Sequence, residues 1–334
     1  MKRAGRVSAA LLALAALAFG TALALADPEP LTLAEAQRSV GGQYAELPDG
    51  RIRYDYAARD PSRPLLVLVH GGVLNSLSVW DPLVAALDGE FGVLRYDSYG
   101  QGYSARPPVR HDATLYVRML DGLLEQAGPS RPVHLVGYSM GGLIAAEYAA
   151  HRPQRVASLT LIGPAGLGTQ LRWPVRLAAW PVLGETIYRL RGADIMMKGY
   201  ELMPHAQRYL AHVREVQLPW VRIEHTGRSL LSQLRSMPVT ELASAYTFVG
   251  ASDVPVLAVF GEDDATVPPG SAAALRERVP GARIEVLTDA SHALAYEDAA
   301  RIAPLLAEHV SAVERAAAVA TPRRAADAEP VPPR

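Results

Sequence analysis

Gly137-Tyr138-Ser139-Met140-Gly141 follows the apolar run Pro132-Val-His-Leu-Val136 and opens the small-residue stretch Gly142-Leu-Ile-Ala-Ala-Glu-Tyr-Ala-Ala150. A G-x-S-x-G between a buried strand and a helix reads as a nucleophile elbow. The turn is tight enough to hold its serine in a strained backbone conformation, and glycines two residues to either side remove the side chains that would collide there. Such a turn presents Oγ above the strand ends, and the helix that follows aims its free N–H groups and positive dipole end at any anion formed nearby. With Gly and Ser each at about 7% of residues, chance supplies the pattern roughly once in ten chains of this length. Its context has to decide.

Downstream, Val254-Pro-Val-Leu-Ala-Val-Phe260 reads as a buried strand that ends in Gly261-Glu-Asp-Asp-Ala-Thr-Val-Pro268. A shorter strand, Arg283-Ile-Glu-Val-Leu287, runs into Thr288-Asp-Ala-Ser-His292. Serine is a poor nucleophile at its own pKa, so an imidazole must take its proton and return it to the leaving group. A carboxylate must in turn hold that imidazole in one tautomer. The order Ser…Asp…His supplies these parts: Ser139 as nucleophile, His292 as base, Asp264 as orienting acid, with Asp263 its rival. Upstream, Leu65-Leu-Val-Leu-Val69 ends in His70-Gly71-Gly72, a glycine loop able to bring a backbone N–H close to the serine. The expected oxyanion donors are the N–H groups of Gly72 and Met140, with Val73 the alternative to Gly72. His70 is expected to anchor the loop through a hydrogen bond.

Together these residues resemble the α/β-hydrolase superfamily, in its esterase, lipase and C–C hydrolase branch. The resemblance spans about Tyr44 to Val313. It rests on His70-Gly-Gly with Trp80 beyond it, Tyr96-Asp-Ser-Tyr-Gly-Gln-Gly-Tyr-Ser104, the elbow, Gly261-x-x-Asp264-x-x-Val-Pro268, and Ser291-His292 with Glu297 after it. In that family the acid of G-x-x-D-x-x-V-P completes the triad, which implies Asp264 rather than Asp263. A serine at the elbow sets the chain apart from the dehalogenase and epoxide-hydrolase branches, which use aspartate there. The implied reaction is hydrolysis of a carboxylic ester with an apolar acyl group through an acyl-enzyme, without a cofactor. Two alternatives stand beside it. One is C–C bond hydrolysis of ring-cleavage products, whose usual H-G-x-G-P-G loop differs from His70-Gly-Gly-Val-Leu-Asn75. The other is a relative that binds a ligand without turnover.

The 334 residues carry a net charge of −1 and no cysteine. Near-neutral charge gives no reason to expect nucleic acid as a partner. The missing thiols exclude cysteine catalysis, disulfides and a lipid-modified cysteine. No His or carboxylate spacing suggests a metal site. Lys2, Arg3 and Arg6 precede a Leu/Ala-rich run that ends Ala24-Leu-Ala26 before Asp27. This is the layout of a signal peptide over 1–26, implying a periplasmic or secreted protein. The alternative is an uncleaved anchor, since Val7 to Ala26 is about long enough to span a bilayer. Membrane contact is expected only with that anchor or with a lipid substrate.

Strand-like runs alternate with helical patterns, which predicts an α/β fold: a mainly parallel sheet with helices on both faces. Strands are expected near Tyr44–Leu47, Ile52–Ala57, Leu65–Val69, Val93–Tyr96, Val133–Val136, Val156–Ile162, Val256–Phe260 and Arg283–Leu287. Helices are expected over Leu115–Gln126, Met140–His151, Ser271–Val279 and Asp298–Val313, the last bent or broken at Pro304. The alternation stops after Ile162. Proline-punctuated amphipathic pieces over 166–245 predict an inserted helical cap between core segments 40–165 and 246–315. Trp173, Trp180, Met196, Met197, Met203 and Trp220 are its candidate pocket walls, and the Ala/Pro/Arg-rich 316–334 reads as a disordered tail. Asp97, between a strand end and Gly100/Gly102, reads as a turn-stabilising side chain.

Overall fold

The structure is a computed structural model and describes residues 20–21, 29–57, 60, 62–168, 171 and 173–320. Almost all of the signal segment expected at 1–26, and the tail beyond 320, lie outside the described residues. No described helix is long and apolar enough to cross a membrane.

Eight strands form one sheet in the order β1-β2-β4-β3-β5-β6-β7-β8. They are β1 (Gln43–Leu47), β2 (Gly50–Ala57), β3 (Leu65–Val69), β4 (Gly92–Tyr96), β5 (Val133–Tyr138), β6 (Val156–Ile162), β7 (Val256–Gly261) and β8 (Arg283–Leu287). The first two make a hairpin in which Leu47 pairs with Gly50 across Pro48-Asp49. β2 is antiparallel to β4, and every later pairing is parallel. β3, β5 and β7 are buried along their whole length, as expected of parallel strands covered on both faces.

Strand alternation divides the core in two. Leu65, Val67 and Val69 of β3 join one apolar cluster with α3 (Ala113–Ala127), α4 (Met140–His151), α9 (Ser244–Gly250) and α10 (Gly270–Arg278). Leu66 and Leu68 face the other cluster, built with α2 (Asp81–Ala86), α11 (Leu294–Glu297) and α12 (Ala299–Ala320). α1 (Leu33–Val40) precedes the sheet, closed by a capping box in which Thr32 and Glu35 satisfy each other's backbone N–H. α12 runs on through Pro304 and extends to Ala320, past the 315/316 boundary expected from composition. Pro304 lacks the N–H that would bond Ala300, yet apolar Ile302, Leu306 and Val310 on one face keep the helix seated on the sheet.

Between β6 and β7 the chain leaves the sheet. An antiparallel bridge between Leu167 and Leu242 closes the neck of the excursion. Inside it lie α5 (Trp173–Ala178), α6 (Leu183–Glu201), α7 (Gln207–His212), a π turn and a 3₁₀ turn through Arg222, and α8 (Thr226–Ser236). These helices form the cap over the C-terminal ends of the parallel strands.

Candidate active site

The turn after β5 places Ser139 at φ +54° and ψ −121°, a costly conformation for a residue with a Cβ. Its two glycines are there for space. A Cβ on Gly137 would meet the Gly141 carbonyl oxygen at 2.5 Å, and one on Gly141 would meet the Val69 oxygen at 2.1 Å. Ser139 is left half-buried at the start of α4.

The loops after β7 and β8 bring Asp264 and His292 to it. His292 Nε2 lies 2.9 Å from Ser139 Oγ, and its Nδ1 lies 2.7 Å from Asp264 Oδ2. The other carboxylate oxygen, Oδ1, accepts the backbone N–H groups of Thr266 and Val267, both at 2.8 Å. Asp264 is therefore fixed as an acceptor on both oxygens, so the proton of His292 belongs on Nδ1 and Nε2 is free to accept from the serine hydroxyl. The Tyr138 hydroxyl donates to the His292 carbonyl at 2.6 Å, which steadies the loop from beneath. Burial raises the Tyr138 phenol well above its ordinary pKa, so it stays a donor. Asp263 points elsewhere: its carboxylate is exposed, 3.2 Å from His205 Nε2.

The loop after β3 reaches the same point. A Cβ on Gly71 would stand 3.2 Å from the Ser139 Cβ, and one on Gly72 would stand 3.2 Å from the Met140 sulfur. His70 is fully buried, and Ser98 N–H donates to its Nε2 at 2.9 Å. Nδ1 must then carry the proton, and it donates to the Gly71 carbonyl at 2.8 Å. Burial pulls the His70 pKa down, which favours this neutral form. Because a peptide is planar and trans, holding the Gly71 carbonyl also fixes the direction of the Gly72 N–H. Beyond it Val73 and Leu74 have φ of +42° and +41°, strained for side chains of that size. Asn75 Nδ2 donates to the Gly72 and Val73 carbonyls at 2.8 and 3.0 Å, and the cap's Tyr200 hydroxyl donates to the Val73 carbonyl at 2.8 Å. Tyr209 in turn donates to Asn75 Oδ1 at 2.9 Å. The loop is thus held from the core by His70 and from the cap by two tyrosines.

Ser139 and His292 open into a cavity of about 310 Å³ under the cap. Its walls are mostly apolar: Val73 and Met140 from the core, with Leu171, Val175, Ile187, Ile195, Met196, Met203, Leu230, Leu231 and Leu234 from the cap. Of the aromatic and methionine residues expected as walls, Met196 and Met203 line it. Met197 packs instead against the apolar cluster beneath. Trp220 is buried in that cluster, its indole N–H held by Gln217 at 3.1 Å, while Trp173 and Trp180 lie on the outer surface. Asp97 is buried, accepting the N–H groups of Leu77 at 2.8 Å and Tyr103 at 2.9 Å, in agreement with a structural turn.

The sequence model of the alpha/beta hydrolase fold matches residues 64–299. The chain belongs to the α/β-hydrolase fold family. Within that family it is 31% identical over 258 residues to the pimeloyl-[acyl-carrier protein] methyl ester esterase of Methylococcus capsulatus, covering 74% of this chain and 95% of the relative. Its identity to the enzyme of the same name from Aeromonas hydrophila is 30% over 249 residues, covering 69% and 89%. Among solved structures it is similar to the enol-lactonase of Burkholderia xenovorans LB400, with a TM-score of 0.65 at 24% identity over 80% of this chain and all of that one.

Two features of this hydrolase escape a reading by motif. Tyr200 and Tyr209 sit in cap helices without a pattern, and only their meeting with the 72–75 loop gives them a role. His205, Asp263 and Asp289 bring one ligand atom each to within 4.8 Å of one another, all exposed. Sequence spacing suggests no metal site, because these three come from the cap and two separate strand-end loops; as a group they have the chemistry to hold a divalent cation.

Proposed function

We propose that the protein is a serine ester hydrolase for substrates with an apolar acyl group. Ser139 attacks the acyl carbonyl while its proton passes to His292 Nε2, and Asp264 stabilises the imidazolium that results. The N–H groups of Gly72 and Met140 receive the oxyanion. Collapse of the tetrahedral intermediate expels the alcohol, which takes the proton from His292, and leaves an acyl-enzyme on Ser139. Water, deprotonated by the same imidazole, then releases the acid and restores the serine. The observation that carries this reading is the hydrogen-bonded line Asp264–His292–Ser139, opening at its serine end into an apolar cavity. The names of the relatives, methyl ester esterases, favour the same class of bond.

A p-nitrophenyl ester series from acetate to palmitate, run alongside fluorophosphonate labelling, tests this. We expect labelling at Ser139 and turnover of at least part of the series. Labelling without turnover of any ester would refute ester hydrolysis, and absence of labelling would refute the nucleophile. We further propose that the protein is exported on its N-terminal segment. Native material beginning at Asp27 outside the cytoplasm is the expected finding; material beginning at Met1 in a membrane fraction would establish an anchor instead.

A further inference from the structure

The segment that walls the cavity at α5 is apolar on both of its sides. Val175 and Ala178 face inward onto the cavity, as does Leu171 before them. Trp173, Arg176 and Leu177 follow the i, i+3, i+4 spacing of one outward face of α5, and Trp180 lies exposed in the turn just past the helix end at Ala178. Trp173 is 72% exposed and Trp180 68%, and the stripe continues into Val182 and Leu183, both exposed. Val182 takes φ +68°, a strained value for a β-branched residue, in the turn that leads into α6. Large apolar side chains clustered in this way are normally buried or mark a contact surface. Here one face meets solvent with two of the chain's four tryptophans.

We propose that this outer face of the cap docks on the surface of an anionic phospholipid membrane. Tryptophan combines a large apolar ring with a polar N–H and is suited to the headgroup level. Arg176 lies within the stripe, exposed and with no carboxylate partner among the described residues, so it can face a lipid phosphate without leaving an ion pair. The path of the chain agrees. Glu29, the first residue described after the N-terminal apolar stretch, accepts the N–H groups of His225 and Gly227 at the start of α8. The Tyr188 ring of α6 packs on Gly227, and Arg235 near the other end of α8 donates to the Ala179 and Trp180 carbonyls. The stripe is therefore joined to the chain's entry point by about 12 Å of helix. An apolar N-terminal segment retained in a bilayer would bring this face to the surface, and a processed chain would rely on the stripe itself.

The proposal goes beyond ester hydrolysis, and its test needs no turnover. Trp80 and Trp220 are buried, so tryptophan quenching reports Trp173 and Trp180 alone. The full chain is mixed with vesicles of phosphatidylglycerol and phosphatidylcholine whose acyl chains are brominated. The expected result is quenching of roughly half the emission, partly lost in Trp173→Phe and in Trp180→Phe and abolished when both are replaced. Trp173→Ser with Trp180→Ser should lower vesicle affinity roughly tenfold or more, given the area two such rings bury, while hydrolysis of a soluble short ester stays unchanged. Arg176→Gln should weaken binding to phosphatidylglycerol but not to pure phosphatidylcholine. Sedimentation with vesicles without quenching would overturn the proposal and leave the N-terminal segment as the sole contact. A lipid-free dimer that the double serine variant makes monomeric would overturn it in favour of a second copy of the chain.

Discussion

Asp264→Asn is the substitution whose outcome the geometry determines most fully. The carboxylate accepts three hydrogen bonds: Thr266 and Val267 N–H on Oδ1 and His292 on Oδ2. An asparagine has one oxygen to offer. If that oxygen keeps the two backbone donors, the NH₂ group faces His292 and can only donate, so Nδ1 becomes the acceptor. The ring proton then moves to Nε2, 2.9 Å from Ser139 Oγ, where no base remains. The flipped amide preserves the working tautomer but sets its NH₂ against two buried N–H donors. Each lost bond there costs about 1–3 kcal/mol, or about 2–6 kcal/mol for the two. At about 1.4 kcal/mol per factor of ten, the productive orientation is suppressed between about thirtyfold and 10⁴-fold. The upper end agrees with the loss of about 10⁴ in kcat known for the equivalent change in a serine protease. The assay is kcat on a soluble p-nitrophenyl ester together with the rate of fluorophosphonate labelling, both of which should fall while KM changes little. Asp263→Asn is the control, since its carboxylate faces exposed His205, and it should stay within about threefold of the parent. Activity above a tenth of the parent in Asp264→Asn, or a larger loss in Asp263→Asn, would refute the reasoning.

Ser139→Ala should reduce kcat by about 10⁶ and abolish labelling with the melting temperature nearly unchanged, as judged by stopped assays and thermal scans. Gly141→Ala forces a Cβ to 2.1 Å from the Val69 oxygen, so its melting temperature should fall by roughly 5 °C or more; Gly270→Ala, with open space around it, should not move it downward. Asn75→Ala removes two of the bonds that hold the strained 72–74 backbone, leaving the Tyr200 bond to Val73, and should cost ten- to a hundredfold in kcat with a smaller change in KM, read on the same soluble ester. Burial pulls His309 down to about 4 from an unfolded value of about 6.5. A histidine depressed in this way contributes stability that is full above pH 6.5 and is lost as pH falls towards 4, about 3 kcal/mol at most. His309→Leu should therefore narrow the difference in melting temperature between pH 7.5 and pH 4.5, and a difference equal to the parent's would show that other buried histidines set the acid limb.

What could be read from the sequence depended on whether the physics was local. β3 and β6 fall where the apolar runs place them, and α4 keeps its expected limits, because a buried strand needs a run of branched residues and a tight turn needs glycine. The residues assigned to the site meet for a related reason. Ser139 follows directly on β5, Asp264 and His292 lie in the loops just past β7 and β8, and parallel strands of one sheet deliver such loops to the same edge. The cap offered no comparable rule. Its helices use tryptophan and methionine for three purposes: Met196 and Met203 toward the cavity, Trp220 toward the core, Trp173 and Trp180 toward solvent. Composition is the same in each case, and only the direction in which each helix face points separates them. The same limit hid Tyr200 and Tyr209. A phenol that donates to a carbonyl more than a hundred residues away leaves no trace in its neighbours, yet the Val73 carbonyl it holds belongs to the loop whose Gly72 N–H we propose as an oxyanion donor. The elbow could thus be recognised from five residues read together with the motifs that follow neighbouring strands. The support that keeps its partner loop in a strained shape required the whole fold.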